Sequence, residues 1–210
     1  MQIQRQGFLN VKNKSFVWDD DSDQPHIITD KEFKRRQKKK HLLEYFKILL
    51  VFVVIFPISF IWQFLMRYPK TQIQLGIGVN LDKGNIQYEL VEELGVKELL
   101  VRIPLWNIDK IDEYVDFVKG FGSDKIFMIN IMQDREHVQN LELFHKNVKI
   151  IFEKFELISC EYQIGNATNR TKWGFFSVSE YLNFYQVAQQ VRDQYFPSLK
   201  LIGPSVIDFE

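Results

Sequence analysis

Tyr162-Gln163-Ile164-Gly165-Asn166-Ala167-Thr168-Asn169 reads as a short apolar strand that stops at Gly165-Asn166 and opens into a polar loop. Beyond that loop, the apolar spacing predicts a helix from about Val178 to Tyr195, for which Ser177 or Ser179 is a suitable N-cap. A strand, a loop carrying polar groups and a helix of that length form one βα unit. The fold depends on whether the unit repeats.

It repeats on both sides. Upstream, Gln72–Asn80 reads as a first strand, and Ile86, Leu90, Val91 and Leu94 make one helical face that Gly95 ends in the C-cap role. Glu98–Pro104 reads as a second strand, followed by a helix with Ile108, Ile111, Val115 and Val118 on one side. Lys125–Ile131 is the third strand. Its helix is expected to be the longest, with Val138, Leu141, Val148, Ile151 and Phe155 toward the core. Glu161–Gly165 is the fourth strand, and Leu199–Ile207 follows the last helix as the fifth.

Strands alternating with helices imply βαβ crossovers and a parallel sheet, which closes either as an open doubly wound sheet or as a barrel. The dinucleotide-binding version of the open sheet fits poorly. Gly76-Ile77-Gly78 has no third glycine at the required spacing and lies within or at the end of a strand rather than opening a helix. The barrel fits better, because polar residues gather at the C-terminal ends of the strands: Asn80, Arg102, Asn130 with Gln133 and Asp134, Asn166, and Asp208 with Glu210. Barrel sites are built at that end. The predicted class is therefore α/β: a partial (β/α)8 TIM barrel of about five βα units over residues 72–210, preceded by one transmembrane helix. A whole barrel takes about 250 residues, so the chain reads as truncated or fragmentary, with strands six to eight wanting and an uncovered edge after Ile207.

Val101-Arg102-Ile103-Pro104 resembles the arginine-bearing second strand of clan A glycoside hydrolases, the retaining (β/α)8 superfamily. Gln163-Ile164-Gly165-Asn166-Ala167-Thr168-Asn169 resembles the Gly-Asn-Glu-x-Asn motif of their fourth strand. The resemblance covers five of eight units. It implies two carboxyls about 5–5.5 Å apart, an acid/base on strand four and a nucleophile on strand seven. It also implies that Arg102 orients and charges the nucleophile, and that Asn166, with Asn169 in the same motif, serves the sugar. Ala167 occupies the acid/base position, and its methyl can neither donate nor accept a proton. The nucleophile strand would lie beyond Glu210. No catalytic residue is therefore intact, and substrate binding falls to Arg102, Asn166, Asn169, Trp106 and Trp173.

Each of these residues has a plainer reading. Arg102 suits a core arginine paired with a structural acid, and Trp106 and Trp173 can either stack on sugar rings or pack beneath loops. Glu161 stands at the far end of the fourth strand, while Asp134 and Glu210 at the top read as solvated loop carboxylates. His137 and His145 lie eight residues apart on the third helix without zinc spacing and read as surface residues. Neither a metal nor an organic cofactor is expected. Asn166-Ala167-Thr168 and Asn169-Arg170-Thr171 match the glycosylation pattern, but both coincide with the site motif.

Residues 1–41 form a polar tail. Asp19-Asp20-Asp21-Ser22-Asp23 followed by Gln24-Pro25 reads as disordered. Lys31–Lys40 then carries seven basic residues and one acid. Ile48–Met66 is nineteen residues without a charge, close to the roughly 20 that cross a bilayer. Tyr45 and Trp62 sit near its ends, and a span tolerates Pro57. A cleaved signal is a poor match, because about forty residues precede the apolar run and no small-residue site follows it. Lys and Arg crowd the N-terminal flank, so the tail is assigned to the cytoplasm and everything after Met66 to the outside. The basic block is then a topological determinant beside anionic lipid instead of a nucleic-acid arm. The domains are 1–41, the tail; 42–67, the membrane helix; and 72–210, the partial barrel. Formal net charge is zero, and lone Cys160 permits no intrachain disulfide.

Together these readings describe a single-pass protein of the inner (cytoplasmic) membrane that presents a glycosidase-like domain to cell-surface glycan. Its partners would be carbohydrate and membrane lipid, without nucleic acid. The alternatives are a non-catalytic glycan-binding or assembly protein, and a broken reading frame.

Overall fold

The computed structural model describes residues 16–20, 22–66 and 75–206. Its centre is a five-stranded parallel sheet made of β3 (Gly76–Val79), β4 (Glu98–Pro104), β5 (Ile126–Met132), β6 (Glu161–Ile164) and β7 (Lys200–Ile202), in the order β3-β4-β5-β6-β7. Spatial order follows chain order with no reversal, which is barrel succession and excludes the switch point of a doubly wound sheet. The fold is thus α/β with a partial TIM-like sheet. Gln72 and the residues from Ile207 to Glu210, expected at the outer ends of the first and last strands, lie outside the described residues.

The helices cover one face of the sheet. They are α3 (Ile86–Leu94), α4 (Ile111–Lys119), α5 (Arg135–Gln139), α6 (Leu141–Phe155) and α7 (Val178–Tyr195). Leu99, Val101 and Ile103 of β4, Phe127, Ile129 and Ile131 of β5, and Tyr162 and Ile164 of β6 point into one core with Val118, Phe144, Val148, Phe152, Phe184 and Val191. Alternation forces the remaining strand residues to the opposite face. There Arg102 pairs in register with Asn130, and Asn130 with Gln163. Fully burying one such apolar side chain contributes about 1.5–3 kcal/mol, so this face, with its helices, carries most of the stability.

The strand β4 and the helix α7 have the predicted bounds, and Ser177 Oγ caps α7 by accepting the Glu180 amide at 3.2 Å. Gly95 ends α3 at φ 63, in the left-handed region. Other expectations need correction. The third helix is two helices, because Asn140 leaves helical geometry and restarts the chain by accepting the Leu143 amide at 3.0 Å. The longest of the helices on the sheet is α7, with 18 residues against 15 in α6. Of the four apolar residues predicted for one face of α3, only Val91 is buried; Ile86, Leu90 and Leu94 stand exposed beside the edge strand β3. Residues 105–110 form a 3-10 turn before α4, which buries Tyr114 and Phe117 alongside Ile111 and Val118.

The tail is not disordered where it is described. Trp18–Asp19 (β1) pairs antiparallel with Gln24–Pro25 (β2), closed by His26 N donating to Val17 O at 2.8 Å. Asp30 then caps α1 (Lys31–Lys40) by accepting the Phe33 amide at 2.9 Å. Apolar anchors overrode the polar composition: Phe16 and Ile28 are buried, and Phe33 meets Phe176 edge-on at 5.4 Å.

Leu42–Leu65 forms α2, a helix of 24 residues long and apolar enough to cross a membrane, with no part of its apolar window buried. Its first turn touches the sheet domain, where Ser179 Oγ donates to Glu44 at 2.7 Å. The tail before α2 and the sheet after it are therefore in contact.

Candidate functional site

The site is built where the strands end. β4 delivers Arg102, β5 delivers Gln133, β6 delivers Asn166 and Ala167, the following loop carries Trp173, and the chain beyond β7 brings Ser205. With Ser22 and Asp23 of the tail, Arg102, Asn166, Trp173 and Ser205 line an open cleft of about 470 Å³. The structure thus brings Arg102, Asn166 and Trp173 together at one end of the sheet. Trp106 stands alongside, packed with Trp18 against the small cluster of Met132, Ala167 and Trp173. Asn169 is exposed on the loop and does not line the cleft.

Two polar residues hold the floor. Gln133 is fully buried and ties the end of β5 to the segment that follows β6: its amide nitrogen donates to Asn166 O at 2.8 Å and to Trp173 O at 2.7 Å, while its oxygen accepts the Asn166 amide at 2.8 Å. Ser205 Oγ donates to Asn166 Oδ1 at 2.5 Å and accepts the Ala167 amide at 2.9 Å. Asn166 is fixed from two sides. Sequence reasoning had Gln133 among the polar strand ends but missed Ser205, because its role depends on β7 lying next to β6.

Ala167 is fully buried and has φ 47, a conformation unusual for any residue but glycine or asparagine. Its methyl lies in the tryptophan cluster. The carboxylate lining the cleft among the described residues is that of Asp23, which belongs to the tail. Arg102 Nη1 donates to Asp23 Oδ2 at 2.6 Å and Asn80 Nδ2 to the same oxygen at 3.1 Å. The reading of Arg102 as an arginine paired with an acid describes this state, although the acid is 79 residues away in sequence. Trp18 sits 4.9 Å from Trp106 and 5.7 Å from Trp173, centroid to centroid, and Lys172 donates to Gln24 at 2.6 Å. Both predicted sugar-stacking rings are therefore occupied by the tail. Trp173 is also buried, and its indole N–H has no hydrogen-bond partner among the described residues.

Beneath the cleft, a clamp sets the loop that carries Trp173. Arg135 is buried and makes a bidentate pair with Glu180 at 2.7 and 2.8 Å, while donating to Gly174 O at 2.8 Å. Its guanidinium lies 4.3 Å above the Phe176 ring, and Glu180 also accepts the Phe176 amide at 2.8 Å. Burial pushes the Glu180 carboxyl up, but the Arg135 hydrogen bonds, the Phe176 amide and the arginine charge outweigh it and hold it below the usual range.

The expectations for the other polar groups change. His137 is buried, not a surface residue. Its Nδ1 contacts Asp134 Oδ1 at 2.8 Å and its Nε2 meets Asn147 Nδ2 at 2.8 Å. Since Asn147 Nδ2 can only donate, Nε2 accepts and Nδ1 carries the proton toward Asp134. Asp134 is accordingly no solvated loop carboxylate: it is buried, caps α5 through the His137 amide and orients the imidazole. His137 and His145 also lie on different helices. Glu161 stands at the opposite end of β6 from Ala167 and pairs with Lys200 at 3.3 Å. Asp208 and Glu210 lie outside the described residues. Among the described residues, no group of three or more His, Cys, Asp or Glu could hold a metal ion.

No family model matches the chain, and no curated protein matches it. Among solved structures, a family 1 b-glucosidase from Thermotoga maritima is similar to it at 15% sequence identity and a TM-score of 0.47. The match covers 56% of this chain, which spans 36% of that one.

Proposed function

We propose that this chain is a membrane-anchored glycan-recognition protein built on a glycoside hydrolase-like partial barrel, and that it binds carbohydrate without hydrolysing it. The observation carrying this reading is the make-up of the cleft at the strand ends. It has an arginine, a doubly held asparagine and indole rings, which suit sugar hydroxyls and ring faces. Among the described residues of the sheet domain, no carboxylate lines it. Glycoside hydrolysis by the usual route needs two carboxyls, and Ala167 stands where the resemblance would have an acid.

The three parts divide the work. Residues 72–210 supply the recognition surface, with Arg102, Asn166, Trp106 and Trp173 as its contacts. Residues 42–67 anchor the chain in the inner membrane by a single pass, and residues 1–41 stay in the cytoplasm. The orientation rests on the Lys31–Lys40 block against the sparse positive charge beyond Met66. Cell-surface polysaccharide is the ligand class that this location would offer.

The test is calorimetric titration of the full chain in lipid nanodiscs with a panel of neutral and acidic oligosaccharides, alongside reducing-sugar release. Binding without release is expected, and Trp173→Ala should weaken it by about tenfold, equal to ~1.4 kcal/mol. Sugar release by the wild-type chain, or no binding to any member of the panel, would overturn the proposal.

A further inference from the structure

The tail contacts and the apolar helix make incompatible demands on one chain. α2 has 24 residues, none of them buried, and at 1.5 Å per residue it measures about 36 Å, enough for a hydrocarbon core of about 30 Å. The tail precedes α2 and the sheet follows it. With α2 across a bilayer, His41 and Leu75 stand on opposite sides. The chain from Met66 to Leu75 is nine residues, which stretches at most about 32 Å. A return through lipid would consume nearly all of that length in extended backbone whose amides and carbonyls find no partners, which a bilayer does not tolerate. Asp23 therefore cannot reach Arg102 while α2 spans.

We infer that residues 16–30 are an internal ligand of the cleft, released when α2 enters a bilayer. The docked segment uses the groups that the proposed glycan would need. Trp18 packs against Trp106 and Trp173, Asp23 pairs with Arg102 and Asn80, and Gln24 accepts from Lys172. Tail and glycan compete for one surface. The docked form leaves the nineteen uncharged residues of Ile48–Met66 uncovered by the other described residues. Transfer of that surface to lipid outweighs the aromatic and polar contacts that the tail gives up, so the bilayer drives the exchange. Before insertion the tail occupies the groups of the cleft; after insertion the tail lies across the membrane and those groups are free. The inference rests on the reading of α2 as an anchor.

The experiment uses the full chain with Cys160→Ser and paired substitutions Asp23→Cys and Asn80→Cys, made by cell-free synthesis with or without phosphatidylcholine–phosphatidylglycerol vesicles. A short bismaleimide is added, and the linked peptide pair is quantified by mass spectrometry. Resistance to alkaline carbonate extraction reports insertion separately. Without vesicles the pair should crosslink; in the carbonate-resistant fraction crosslinking should fall at least about tenfold. Val54→Arg puts a charge at the middle of the span, where it opposes insertion, and should keep the crosslink with vesicles present. A second pair, Gln24→Cys with Lys172→Cys, repeats the measurement on another contact and guards against misfolding of the first. Inserted chains that crosslink undiminished overturn this inference alone. Chains that never become carbonate-resistant overturn the anchor reading and this inference with it, and absence of both crosslinks without vesicles shows that the tail is not a ligand of the cleft.

Discussion

Glu180→Ala removes one half of the clamp that sets the Trp173 loop. It leaves the Arg135 guanidinium, whose side chain is 6% exposed, without its counter-charge. It also leaves the buried Phe176 amide without its acceptor. Breaking a buried ion pair from one side costs about 3–5 kcal/mol. The lower value applies, since the Glu180 side chain keeps 21% of its exposure, and the orphaned amide adds about 1 kcal/mol. The expected loss is about 4 kcal/mol, which for a domain of this size lowers Tm by roughly 8–16 °C. The assay is thermal and urea denaturation of the detergent-solubilised full chain, followed by near-ultraviolet circular dichroism, which senses Trp173. The double variant Arg135→Met/Glu180→Leu should lose much less than the sum of the single changes, because no charge is then left buried. A Glu180→Ala loss below about 1 kcal/mol, or additive single changes, would refute the argument that this pair is a buried clamp.

The same carboxyl sets a pH dependence. Its folded pKa lies below the ordinary 4.5, so its contribution is complete above pH 4.5 and is lost as pH falls through the lower folded value; the stability gap between wild type and Glu180→Gln should narrow below pH 4.5 in urea titrations. Gly174→Ala should destabilise by about 1–3 kcal/mol, because Gly174 has φ +100 and a Cβ there would stand 3.2 Å from the Asp134 carbonyl carbon; unchanged urea midpoints would sink this. His137→Ala should cost about 1–3 kcal/mol by leaving Asp134 and Asn147 without their buried partner, whereas a true surface histidine would cost almost nothing. Ala167→Glu should not create a glycosidase. It should instead expel the tail, since a carboxylate has no partner in the Met132–Trp173 cluster, and the readout is increased acrylamide quenching of the tryptophans.

Local patterns succeeded where a residue's role is set by its immediate neighbours. The bounds of β4 could be read from Glu98–Pro104, since alternate residues meet the core. Those of α7 could be read from Ser177 and the spacing of Phe184, Ala188 and Val191. Arg102 and Asn166 were recognisable as strand-end residues for the same reason, and the structure does line one cleft with both. Periodicity misjudged α3, because a face is buried only when something lies across it, and beside β3 nothing among the described residues does. It also misjudged His137, whose burial depends on Asn147 ten residues on and on a turn at Asn140 that splits the helix.

The sequence by itself determined the succession of βα units, the polar ring at their C-terminal ends and the uncharged apolar run 48–66. Each follows from periods of two and 3.6, from residue chemistry or from the length of an uncharged run. Only the tertiary structure decided what fills that ring. Trp18, Asp23 and Gln24 look like parts of a polar, featureless tail, and their partners Trp106, Trp173, Arg102 and Lys172 lie from 79 to 155 residues away. No local pattern encodes a contact across that separation; it exists because the sheet gathers its strand ends into one surface on which aromatic rings and a paired charge can be covered.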